Sequence, residues 1–86
     1  MDIGVEISLY PLTADYIPPI QNFIDRLNTH DGIRVITNSM STQVFGPLGK
    51  VFEVLQREVG GTFEDREHAA GKAVFVMKVL GPLASV

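Results

Sequence analysis

Apolar and polar positions alternate at the start of the chain. In "DIGVEISLYPL", Ile3, Val5, Ile7 and Leu9 fall on one face, and Gly4, Glu6, Ser8 and Tyr10 on the other. A period of two predicts a half-buried strand, which Pro11 ends. The period then lengthens. In "ADYIPPIQNFIDRLNTHDG", Ile17, Ile20, Ile24 and Leu27 recur at intervals of three and four with Phe23 beside them, which predicts a helix. Asp15 is the expected N-cap, Pro18 and Pro19 are tolerable in a first turn, and Gly32 marks the exit. "IRVITN" and "STQVF" then read as a hairpin with its corner near Asn38 to Met40.

"GPLGKVFEVLQREVGG" predicts the second helix. Pro47 suits its first position, and Leu48, Val51, Phe52, Leu55 and Val59 form its apolar stripe. Glu53 and Arg57 form an i,i+4 pair, and Gly60–Gly61 is the expected stop. After the polar connection "TFEDREHAAG", "KAVFVMKVL" alternates again. Ala73, Phe75, Met77 and Val79 fall on one face, and Lys72, Val74, Val76 and Lys78 on the other. The tail, 81–86, is expected to be loosely ordered.

The order β-α-β-β-α-β predicts an α+β, ferredoxin-like sandwich: a four-stranded antiparallel sheet with both helices on one face. Strand one then lies between strands three and four. The other sheet face would carry Glu6, Ser8, Tyr10 and Lys78 beside Val74 and Val76. Such a face is too apolar for solvent and too polar for a core, which suits contact with another subunit or a ligand.

At 86 residues the chain is expected to be one domain, with a marginal core that oligomerisation would supplement. It lacks cysteine, which removes disulfides, thiolate nucleophiles and Cys-based zinc sites and fits a reducing cytoplasm. The N-terminus runs into a strand pattern without a signal peptide, and no segment is long and apolar enough to span a bilayer. A net charge of −3 argues against nucleic acid as the main partner.

Several chemistries fail on spacing. "GPLGKV" is too short for a phosphate loop and has Val51 where Ser or Thr is needed. "GKAVFVMKV" echoes an RNA-recognition strand, but on the fourth strand and with Phe75 facing the helices. His30 and His68 read as surface histidines in acidic loops, not as metal ligands, and neither is tied to a serine. No cofactor is called for.

The remaining candidates are polar groups without catalytic pattern. Glu6 reads either as a cross-strand partner of Lys78 or as a carboxylate that balances a cationic ligand. Tyr10 and Phe45 either pack at strand ends or flank a flat ring. Asn38, Ser39, Met40, Ser41, Thr42 and Gln43 include ordinary corner residues, but the polar run continues into the strand. If its hydroxyls lie beside Ser8 and Tyr10, the two strands converge on a pocket.

"VEISLYPL", the helix opening "DYIPPIQNFIDRL" and "ITNSMSTQVFGPLGKVFEVL" together resemble the thiamine-binding protein family, which includes small stand-alone YkoF-like proteins. The resemblance runs from about Ile3 to Val79, and its most specific parts are "SLYPL" and "TNSMST". It implies a ferredoxin-like fold and subunits that associate through their sheets into dimers or tetramers. It implies binding of thiamine or its hydroxymethylpyrimidine moiety, without catalysis. Residues implied for the ligand site are Glu6, Ser8, Tyr10, Asn38, Ser39, Met40, Ser41 and Thr42. The alternative is a regulatory or assembly module that binds another small metabolite or a protein.

Overall fold

The computed structural model describes residues 1–67 and 72–84. Its elements are β1 (Asp2–Pro11), α1 (Ile17–Leu27), β2 (Arg34–Thr37), β3 (Thr42–Pro47), α2 (Leu48–Glu64) and β4 (Ala73–Leu83). The sheet order is β2-β3-β1-β4 and every pairing is antiparallel. This is the ferredoxin-like arrangement read from the sequence.

Alternation in β1 translates directly into burial. Ile3, Val5, Ile7 and Leu9 lie under the helices with Val44, Phe23, Leu27, Val51, Val54 and Leu55. Full burial of each such side chain contributes about 1.5–3 kcal/mol. Phe23 and Phe63 both pack on Phe75 at the start of β4, with ring centroids 5.0 and 5.5 Å away. Beyond that point an open apolar groove, lined by Phe52, Leu55 and Val59 of α2, lies beside Met77. Met77 and Val79, expected to be covered, are about half exposed.

Three further expectations change. Asp15 does not cap α1: the N-cap is Tyr16, in a helical conformation, with no side-chain cap bond. The helix ends well before Gly32, because Asn28 Nδ2 donates to the Ile24 carbonyl and Thr29 Oγ1 to that of Arg26. Of its apolar stripe, Ile17 is exposed, while Pro19, Phe23 and Leu27 are buried.

The second helix does not stop at Gly60–Gly61 but continues to Glu64. Thr62 in that extra turn is buried and bonded to Arg26, and Phe63 rests on Phe75. Those contacts outweigh the roughly 1 kcal/mol that each glycine costs in a helix. The buried stripe is Val51, Val54, Leu55, Glu58 and Thr62, whereas Leu48 and Phe52 stay exposed. Pro47 is the N-cap, and Glu53 approaches Lys50 rather than forming the expected pair with Arg57.

Gly81, Pro82 and Leu83 are not a loose tail. They extend β4, and Leu83 pairs with Asp2. Residues 85 and 86 lie outside the described residues, as does His68.

Candidate functional site

The β1–β3 ladder ends at Ile7 opposite Thr42, whereas the β1–β4 ladder continues to Pro11 opposite Ala73. Residues 8–10 of β1 therefore have β4 on one side and no strand on the other. The hairpin corner, residues 38–41, closes over that gap, and Ile20, Phe23 and Ile24 of α1 roof it. The result is a cleft of about 190 Å³ with Ser8, Tyr10, Ser39, Met40 and Ser41 on its walls. Among the described residues its lining contains no histidine, carboxylate or lysine.

Seven of the eight residues expected at a ligand site line this cleft, but not on equal terms. Asn38 is committed to the turn. Its Oδ1 accepts the Met40 and Ser41 amides at 2.8 and 3.0 Å, and its own N–H donates to the Ser41 carbonyl. Ser39 and Met40 form the exposed tip. Ser41 and Thr42 were expected to converge on Ser8 and Tyr10 together. Successive strand residues point to opposite faces, and these two separate. Ser41 Oγ donates to Glu6 Oε2 at 3.2 Å. Thr42 is turned under the helices, 5% exposed, with its hydroxyl 3.4 Å from that of Thr37. The hydroxyls of Ser8, Tyr10 and Ser39 have no protein partner among the described residues.

Glu6 stands just outside the cleft and borders it through Ser41. Lys78 is its register neighbour on β4, yet the two form no ion pair. Phe45 is spoken for. It lies opposite Gly4, where an added Cβ would come within 2.8 Å of its ring, and the Arg34 guanidinium stacks 4.7 Å from its centroid. Plain packing accounts for Phe45.

A second polar cluster lies between the helices. Arg26 Nη1 donates to Glu58 Oε1 at 2.6 Å and to the Glu58 carbonyl at 3.0 Å, and Nη2 donates to Thr62 Oγ1 at 2.6 Å. His30 Nε2 meets the other Glu58 oxygen at 2.6 Å. His30 is thus largely buried and bonded, not the surface histidine its loop suggested. Burial pushes the Glu58 carboxyl up, but hydrogen bonds from His30 and Arg26, with their charges, hold it below the usual 4.5. Gly61 makes room, since a Cβ there would lie 2.5 Å from Arg26 Nη1. Sequence offered no signal for this cluster beyond the hydrophilic Glu58 on an otherwise apolar helix face.

The comparisons with known proteins agree with this architecture. The model of the YKOF-related family matches residues 2–77. A Streptococcus pneumoniae structure superposes with a TM-score of 0.82 at 16% identity, covering 98% of this chain and 90% of that one. A Thermotoga maritima protein named for thiamine biosynthesis/salvage gives 0.82 at 14% identity, with 100% and 89% covered. A Methanocaldococcus jannascii protein gives 0.77 at 20% identity, with 99% and 84% covered. At these identities the structures are similar in fold. No curated protein sequence matches this chain. The family match covers most of the chain, and the chain belongs to the YKOF-related family.

Proposed function

We propose that this member of the YKOF-related family binds a thiamine-type aminopyrimidine in the hairpin cleft and performs no chemistry on it. One observation carries the reading: β1 runs past the end of β3, so a bare strand edge and unpartnered hydroxyls face a small cleft. An aminopyrimidine presents an amino donor beside ring-nitrogen acceptors. A strand edge presents alternating N–H and C=O groups, and Ser8, Tyr10 and Ser41 add hydroxyls that donate or accept. Tyr10 and Met40 supply apolar cover for a ring.

Size narrows the fit. About 190 Å³ is smaller than the roughly 300–1,000 Å³ of most ligand pockets, so the cleft takes one ring. In thiamine the cationic second ring then projects past Ser41 toward the Glu6 carboxylate. The thiamine-related name of the Thermotoga maritima neighbour points the same way.

Self-association belongs to the same reading. β4 is an edge strand of 11 residues that is apolar on both faces; Val74, Val76, Met77, Val79 and Leu80 are 46–66% exposed. Long apolar edges invite another strand. A second copy pairing there would make a homo-oligomer, dimer or tetramer. The expected setting is the cytoplasm; among the described residues no helix is long and apolar enough to cross a membrane.

Calorimetric titration with hydroxymethylpyrimidine and thiamine tests the proposal, with an unrelated cationic aromatic as control. Saturable binding of the first two is expected. Folded protein that gives no heat with either, yet self-associates, contradicts the ligand and favours the alternative of an assembly or regulatory module.

A further inference from the structure

The sheet face turned away from the helices is a grid set by register. One row reads Arg34, Phe45, Gly4, Leu80 across the four strands; the next reads Ile36, Gln43, Glu6, Lys78. Over these rows lies a hollow of about 250 Å³, lined by Gly4, Glu6, Gln43, Phe45, Lys78 and Leu80. It is separate from the hairpin cleft but adjoins it, because Glu6 in the hollow accepts the hydrogen bond of Ser41 in the cleft.

The hollow holds one carboxylate, Glu6, and one ammonium, Lys78, which are register neighbours but do not pair. Opposite charges side by side on adjacent strands ordinarily pair. Here Glu6 is drawn to Ser41 on β1's other side, and Lys78 has no carboxylate in ion-pair range among the described residues. Arg34, on the far side of Phe45, has none either and is held by the ring. Asp2 and Glu6 are the acids of this face and Arg34 and Lys78 its bases, so the excess acid behind the net charge of −3 lies elsewhere on the chain. Gln43 adds an amide donor beside the ammonium. Phe45 and Leu80 wall the hollow, and Lys78 stands exposed on it with its ammonium free to meet an anion. From Ser8 to Glu6 along β1 is about 7 Å, the rise of two strand residues, and Lys78 is one strand further.

We infer that this hollow receives the phosphate group of a phosphorylated ligand whose ring occupies the hairpin cleft, with Lys78 as its principal contact. The protein then selects the phosphate ester over the free alcohol. This rests on the aminopyrimidine reading of the cleft and specifies the form of the ligand.

Hydroxymethylpyrimidine and its phosphate ester, titrated separately into wild-type protein and Lys78→Gln, test it. Lys78 is exposed, so the substitution leaves the fold intact. Wild type should bind the ester about tenfold more tightly, the worth of one charge-assisted hydrogen bond. Lys78→Gln should lose that preference and keep its affinity for the free alcohol. Equal affinity of wild type for the two forms overturns the inference and leaves the cleft standing. So does a preference for the ester that survives Lys78→Gln. Binding of neither form by wild type overturns the cleft reading itself, and the inference with it.

Discussion

Two concavities of this molecule differ in a way that size does not reveal. The groove along the outer side of the helices, lined by Asn22, Arg26, Glu58 and Asp65, measures about 840 Å³; the hairpin cleft measures about 190 Å³. In the groove the floor groups bind one another. Arg26 is tied to Glu58 and Thr62, and Asn22 to Asp65. In the cleft, Ser8, Ser39 and Tyr10 face open space beside a strand edge with no neighbour. Polar groups that satisfy each other hold the fold together. Polar groups held in position without a partner are ready for a ligand.

The largest expected effect attacks the first region. Glu58→Ala leaves Arg26 and His30 without their buried partner, which should cost about 3 kcal/mol or more in urea unfolding. Ligand affinity of the variant that remains folded should match wild type. A parallel loss of affinity would mean that the two regions are one functional unit.

Acid should act on the same group. The Glu58 carboxyl titrates lower in the folded protein than in the unfolded chain. Its contribution is therefore fully present above the ordinary value of 4.5 and is lost as pH falls through the lowered folded value. Thermal unfolding below that pH should show a steeper loss in wild type than in Glu58→Gln. Parallel pH curves would remove Glu58 as the titrating group.

Neighbouring glycines sharpen the contrast further. At Gly60 an added Cβ meets nothing within 4 Å, so Gly60→Ala should stabilise α2 by about 0.5–1 kcal/mol. At Gly61 the same methyl meets Arg26 Nη1, so Gly61→Ala should destabilise by about 1 kcal/mol despite its better helix propensity. Opposite signs in chemical denaturation would locate the effect in the arginine. The cleft variants act on binding instead: Ser8→Ala and Ser41→Ala should each weaken ligand binding by about 0.5–1.5 kcal/mol, with the smallest effects of all on stability. Unchanged affinity in both would move the ligand out of the cleft.

What could be read from the sequence follows the range of each interaction. Alternation in β1 located its buried face, since strand geometry imposes that period. The polar run from Asn38 drew attention to the hairpin corner that borders the cleft. That Ser41 and Thr42 part company follows from strand alternation alone, but which of them turns under the helices depends on the register that sets Thr42 opposite Ile7. Gly60–Gly61 looked like a stop because helix propensity is local, whereas Thr62 and Arg26 meet across 36 residues. Arg26, His30 and Glu58 come together across 28 and 32 residues and carry no shared pattern. The strand edge at residues 8–10 was likewise hidden, because it exists only where one ladder ends before the other.

The most direct test is amide chemical-shift mapping during titration with hydroxymethylpyrimidine. Saturable shifts centred on residues 8–10 and 38–42, with Arg26, Glu58 and Thr62 undisturbed, are the predicted result. Shifts centred instead on the groove lined by Asn22, Arg26, Glu58 and Asp65, or none at saturating ligand, would contradict the assignment of the cleft as the binding site.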